Sequence, residues 1–418
     1  MEHAATRGTS STVQRRGGVL FNNSIPRLVE GIRAKGAQTE HQRCVSDETI
    51  RDLRDAGLFR AFVPRRCGGD ERIPSEVYEA VIELARGCAS TAWVASLLSV
   101  HSFSIALLER AGQDDMLAAG PDLLISSSVA PMGIAERVEG GFRLSGRWSF
   151  VSGVDHAQWL MLGAAIKDEP ACPPSPGAST FPGFSSQNSL FFLPAADCRV
   201  HDDWDVAGLC GTGSKAIEVK AAFVPMRHVL SLVAVNRGVA PGLALDDGPY
   251  YRVPWFPLFH SAFPPVAIGT ALAMLDGFRA YTNCRVSSFS GKGYHTNAGP
   301  RVRLAEAAAQ VDAARALYRR DVATLDNCAK GEPLPRGVPE RIVYDAACIV
   351  HACSRAIDQL YCGSGGRAIY RSSPLQRQFR DIHAITQHVM ADLDTYSEAY
   401  GKALLENPDF AFGAAGSV

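Results

Sequence analysis

Apolar residues along the chain change their period twice. Ile25, Leu28, Val29 and Ile32 sit at steps of three and four, and similar spacing continues to about Gly112, which predicts a run of helices. Between about Pro121 and Val235 the period drops to two, in short apolar runs over 123–129, 142–150, 159–166, 190–193 and 217–224 separated by turn residues. Alternation of that kind predicts a small antiparallel β-domain. After Pro257 helical spacing returns. Leu304, Ala308, Val311 and Ala314 share one face, as do Val343, Ala346, Val350 and Cys353, and then Phe379, Ile382, Ile385, Val389, Leu393 and Tyr396 on a last helix. With 265–289 these predict four long amphipathic helices packed as a bundle. The expected architecture is α+β and mainly α: a flexible tail over 1–22, an N-terminal helical domain over 23–120, a central β-domain over 121–235, a four-helix bundle over 236–405 and a second tail over 406–418.

Composition narrows the choice of partner. At 418 residues and 46% hydrophobic, the chain is long enough for two or three cores. Forty-two basic residues face 43 acidic ones without a local basic run, so no nucleic-acid or anionic membrane surface is expected. Eleven cysteines lie scattered with no C-x-x-C pair or Cys/His cluster, a pattern of reduced thiols without a metal site. The N-terminus is polar and lacks an apolar signal core, and a cytoplasmic location is expected. The most apolar long run, 262–275, contains Pro264-Pro265 and falls short of the ~20 residues a membrane span needs, so it reads as a core helix. Residues 169–187 form a Pro/Ser/Gly-rich surface loop.

Candidate chemistry starts at Gly146–Gly153, GRWSFVSG. There Trp148 and Phe150 keep a two-residue period until Ser152-Gly153 interrupts it. A flat aromatic beside a hydroxyl at a strand end suits a planar heteroaromatic ligand, and a Trp-x-Phe alternation also suits ordinary strand core. His101 ends an apolar helical run and reads as a capping or core histidine. His388 lies at the margin of the last helical stripe, four residues before Asp392, and pairing with that carboxylate is one reading. No Walker A or strand-linked GxGxxG is present, and Gly363-Ser-Gly-Gly366 reads as a connection between helices. The Thr212-Gly-Ser214 turn is read equally as a plain β-connection and as a ligand contact.

Taken together, GxWxFxSG…DHAQW…GLxGTGS…FVP resembles the flavin-dependent monooxygenases built on the acyl-CoA dehydrogenase fold. So do Ser90-Thr-Ala-Trp-Val94 with His101, Ser128–Gly133, and the closing Gln376–His388. These are the oxygenase components of two-component aromatic hydroxylases such as 4-hydroxyphenylacetate 3-hydroxylase. The resemblance spans roughly residues 24 to 405. It implies an acyl-CoA dehydrogenase-like fold, reduced FMN supplied by a separate NAD(P)H-flavin reductase, with FAD the alternative flavin, and O2 as co-substrate. The flavin would form a C4a-hydroperoxide that hydroxylates a small aromatic, phenolic or fused-ring substrate. Ser152 would bond flavin N5, Trp148 would lie against the ring, Ser126 to Ser128 would line its edge, and His101 would stand in the flavin pocket. His388, rather than His383, would face the substrate and accept or orient a phenol proton. Arg285, with the Gly363 and Gly365 turn, would contact flavin phosphate across a subunit boundary, implying a homotetramer.

One substitution bears on reaction type. Where resembling dehydrogenases commonly carry the glutamate that abstracts an α-proton, this chain has Ser372, which without a partner base cannot do that work at neutral pH. Oxygen chemistry is therefore expected. An N-hydroxylating amine oxygenase is a variant, an acyl-CoA dehydrogenase-like FAD oxidoreductase is the alternative, and a flavin-fold protein that binds a partner without turnover is a third reading.

Overall fold

A computed structural model describes residues 16–169, 188–246, 248–287 and 290–407. Five helices come first: α1 (Arg16–Gln42), α2 (Asp47–Asp55), α3 (Pro74–Gly87), α4 (Ala89–His101) and α5 (Arg110–Leu117). Residues 16–22, expected as tail, are the first turns of α1, since extending a nucleated helix costs far less than starting one. The remainder of that tail, 1–15, most of the 169–187 loop and residues 408–418 lie outside the described residues. α2 has Ser46 as its N-cap, whose hydroxyl accepts from the Thr49 amide. In α4 every residue is buried, which follows from a sequence apolar all round except for small hydroxyls. Two of those hydroxyls are satisfied by backbone carbonyls: Ser96 donates to Ala262 O and Ser99 to Ala95 O, both at 2.7 Å.

Among the described residues seven strands follow: β1 (Ile125–Val138), β2 (Gly141–Val151), β3 (Trp159–Ile166), β4 (Asn188–Pro194), β5 (Arg199–His201), β6 (Lys215–Pro225) and β7 (Val229–Ser231). They form one sheet in the order β5-β6-β2-β1-β3-β4-β7. The expectation of an antiparallel sheet needs correction at one place, because β1 and β3 pair in parallel. The short connection after β2 carries the chain past the end of β1, so β3 reverses β2 yet runs alongside β1 on its far edge. That same connection carries Ser152.

The rest is helical: α6 (Leu232–Asn236), α7 (Trp255–His260), α8 (Pro264–Cys284), α9 (Ala298–Ala329), α10 (Val338–Ser364), α11 (Pro374–Thr386) and α12 (Leu393–Glu406). Two stretches, Ala89–Leu107 and Trp255–Cys284, are long and apolar enough to cross a membrane, but 100% and 83% of their apolar windows lie buried inside the fold. The last bundle segment is two helices and not the single one that the 379–403 spacing predicts. Asp392 takes an extended conformation and accepts from the amides of Asp394 and Thr395, which starts α12 afresh. Val389, counted in the apolar stripe, is instead 65% exposed.

Trp148 belongs to the packing between strands, not to a ligand site. A register shift between Trp148 and Val151, with Phe150 at φ 63°, turns consecutive side chains to new faces: Trp148 and Val151 enter the β-domain core and Phe150 faces outward. The Trp148 indole N–H donates to Gly163 O at 2.7 Å, and its ring covers Gly133 and Gly146. A Cβ on Gly133 would fall 2.2 Å from that ring. Gly133→Ala is therefore expected to cost about 1–3 kcal/mol of stability by overpacking. A urea midpoint equal to the parent's would contradict this seat for Trp148.

Candidate functional site

The α4 helix, the β1 and β2 ends, the α7–α8 corner, the loop after β5 and the α11–α12 break enclose a cavity of about 870 Å3. Trp93, Leu97 and His101, spaced by four residues, present one face of α4 to it. Phe259 and Phe263 form a wall, and Phe150 meets Trp204 edge-on at 6.1 Å near the mouth. Among the described residues, no Asp or Glu lines the cavity. Ser372 is exposed and away from the cavity, so no proton-abstracting carboxylate stands at either place.

The floor is a chain of hydroxyls with a defined direction. The Trp93 indole N–H, which can only donate, donates to Ser152 Oγ at 3.0 Å. At the other end Thr212 Oγ1 donates to the Leu209 carbonyl at 2.9 Å, which can only accept. Between them, Ser152 and Ser214 lie 2.8 Å apart, and Ser214 and Thr212 2.6 Å apart. With both ends fixed, Ser214 must donate to Thr212 and Ser152 to Ser214. Ser152 consequently turns a lone pair, not a proton, toward the cavity. Its backbone is held by Ser126, whose Oγ donates to Ser152 O at 2.8 Å. Ser126 is thus a support behind the wall, fully buried, while Ser127 and Ser128 line the cavity.

The loop that carries Thr212 and Ser214 is clamped to α11. Asp381, buried, accepts from the Leu209 amide at 2.7 Å, and burial pushes its carboxyl up to about 6. Gly208 approaches so closely that a Cβ there would fall 2.1 Å from Arg380 O. The Thr212-Gly-Ser214 turn is therefore a part of the cavity and not a bare connection.

Two histidines face the cavity in different states of hydrogen bonding. His101 Nδ1 lies 2.7 Å from Ile125 O and must donate there; Nε2 then accepts from Ser127 Oγ at 2.9 Å. Its ring stacks on Phe259. His388 caps the turn at Val389–Ala391, where Nδ1 accepts from the Met390 amide at 3.2 Å. Its proton is therefore on Nε2. The ring packs against Trp93 and Phe263 with centroids 5.2 and 4.6 Å away. No pairing with Asp392 forms, since that carboxylate is taken by the start of α12. Loss of solvent pushes both imidazoliums down to about 4. His383 also lines the cavity but bonds Asp358 at 2.8 Å.

Both depressed histidines stay neutral above their pKa, so protonation sets in only as pH falls toward 4. Product formed per reduced flavin consumed is expected to stay flat from pH 5.5 to 8. An acid limb centred near 6.5 would show that one of them titrates as an ordinary histidine.

Arg285, Gly363 and Gly365 come together, but not at this cavity. Arg285 Nη1 donates to Ser364 O at 3.2 Å, its guanidinium covers the Tyr294 ring at 4.0 Å, and a Cβ on Gly365 would strike it. The turn and the arginine form one unit at the far end of α8 and α10. Trp93, Phe150, Phe259 and Phe263 are lining residues to which the motifs assigned no role. For Trp93 the i, i+8 spacing with His101 was an available signal; for Phe259 and Phe263 none was, since their wall exists only after α7 folds over α4.

Over nearly its whole length the chain is similar to the oxygenase components of flavin-dependent monooxygenases of acyl-CoA dehydrogenase fold. The chain belongs to that family. It is 34% identical over 379 residues to the flavin-dependent monooxygenase oxygenase subunit HsaA of Rhodococcus jostii, covering 90% of this chain and 95% of that one. The p-hydroxyphenylacetate 3-hydroxylase oxygenase component of Acinetobacter baumannii is 30% identical, with 93% and 89% covered. The crystal structure of 3-HSA hydroxylase from Rhodococcus sp. RHA1 superposes with a TM-score of 0.83 at 31% identity, covering 92% of this chain and 97% of that chain. Residues 261–393 match the acyl-CoA dehydrogenase C-terminal domain.

Proposed function

We propose that this chain hydroxylates a phenolic aromatic compound with O2, using reduced FMN delivered by a separate NAD(P)H-flavin reductase, and that it works as a cytoplasmic homotetramer. The flavin, when bound, supplies the activated oxygen. The observation that carries the reading is the direction of the hydroxyl chain. Ser152 offers an acceptor, which suits the N5–H that reduced flavins carry and oxidised flavins lack. The volume and aromatic walls fit a flat ring system with a substrate beside it.

This chain's own residues then have separable tasks. The apolar wall of Phe259 and Phe263 excludes water from the reacting groups. His388, through Nε2–H, donates to the substrate's hydroxyl oxygen and fixes the orientation of the ring for reaction. Of the two roles expected for it, accepting or orienting a phenol proton, orientation is the one that suits this tautomer, because Nδ1 is already engaged by the Met390 amide. His101 holds Ser127 in place by accepting the hydrogen bond of its hydroxyl. Arg285 and the Gly363 and Gly365 turn serve a flavin phosphate bound in a neighbouring copy, which accounts for their position away from this cavity and requires an oligomer.

The direct test is to supply the purified chain with a flavin reductase, NADH, FMN and a panel of phenols, and to look for products heavier by one oxygen atom. Consumption of NADH with hydrogen peroxide as the sole product across the panel would overturn the reading. Sedimentation as a monomer that still hydroxylates would remove the tetramer.

A further inference from the structure

The cavity has almost no net charge to offer a ligand. Arg380 is the one permanently charged residue lining it among the described residues, and every branch of its guanidinium is engaged. Nη2 pairs with Glu40 at 2.6 Å, Nη1 donates to Ala207 O, and Nε donates to Gln376 Oε1 at 2.8 Å. His383, the next cationic candidate, is held by Asp358. His101 and His388 are neutral at physiological pH, as derived above. A carboxylate brought into this space would lose water and meet dipoles only, with Glu40 nearby to repel it. A flavin phosphate would be held outside this cavity, by Arg285 and the Gly363 and Gly365 turn of a neighbouring copy, whereas a compact aromatic acid would sit wholly inside it.

We propose that the substrate is an uncharged phenol, and that Glu40 enforces this by cancelling the charge of Arg380. The proposal rests on the hydroxylase reading above and narrows its substrate class. Recognition is then left to the aromatic walls and to the hydroxyl contact with His388, so the body of the substrate away from its hydroxyl is apolar.

The test is a matched pair of nearly equal shape, p-hydroxyphenylacetate and p-hydroxyphenylacetamide, with the reductase, NADH and FMN at pH 7.5. For the parent chain, kcat/KM for hydroxylated product is expected to favour the amide by about 10²-fold, the order expected when a buried charge lacks its counterion. Glu40→Gln keeps an acceptor for Arg380 but removes the negative charge. In that variant the carboxylate is expected to gain about 10-fold while the amide stays within twofold. A parent chain that hydroxylates the carboxylate as well as the amide overturns the proposal and leaves the hydroxylase reading intact. A preference for the amide that Glu40→Gln leaves unchanged overturns the role given to the Glu40–Arg380 pair. If neither compound nor any neutral phenol in a wider panel is hydroxylated, the hydroxylase reading falls and this proposal with it.

Discussion

His388→Ala is expected to lower hydroxylated product by about 10²-fold or more, the usual effect of removing a positioned proton-handling group. Flavin consumption should continue, and the missing product should appear as hydrogen peroxide. The structure sharpens this test, because the Met390 amide occupies Nδ1 and leaves Nε2–H as the group that acts. Gln carries an N–H at a comparable reach and cannot act as a base. His388→Gln should therefore recover a substantial part of the lost product, whereas a base mechanism gives no recovery. His383→Ala, which removes a side chain already committed to Asp358, should hydroxylate near the parental rate. Should His383→Ala be the defective variant and His388→Ala be normal, the histidine has been misassigned.

Ser152→Ala is the second large expected effect. It deletes the acceptor offered to the cavity and strands the Trp93 indole N–H, which has Ser152 Oγ as its partner. Losing one hydrogen bond at a buried polar site costs roughly 1–3 kcal/mol, or about 5- to 150-fold in an equilibrium or a lifetime. Measured anaerobically without turnover, the dissociation constant for reduced FMN should rise by that factor and the constant for oxidised FMN should change much less. Ser214→Ala gives the opposite signature. It removes the acceptor of the Ser152 proton, frees that hydroxyl to donate, and should tighten oxidised FMN relative to reduced. A ratio of the two constants that neither substitution moves would mean that the hydroxyl chain does not read the flavin's redox state.

How much of this was readable beforehand varies from residue to residue. The change of apolar period from four to two and back marks helical, strand and bundle regions because burial of one face imposes each element's own repeat on the sequence. His101, Ser152, Thr212, Ser214 and His388 were all singled out, and the fold brings all five to one cavity. Trp148 was misplaced. Its alternation with Phe150 assumed an unbroken strand, and the register shift with positive φ at Phe150 exchanged which aromatic faces the ligand. Similarly, 379–403 kept helical spacing across a break that Asp392 creates by capping α12.

Local pattern thus determined the elements, the family motifs and the absence of a base at Ser372, since each depends on residues near one another in the chain. Only tertiary structure decided the protonation pattern and the charge of the site. The Trp93–Ser152–Ser214–Thr212 chain joins three segments, His388 receives its tautomer from a turn that exists only between two helices, and the charge of Arg380 is paired with Glu40, 340 residues away. Hydrogen bonds and ion pairs act over a few ångströms in space, and no periodicity in sequence records which distant groups will come within that reach.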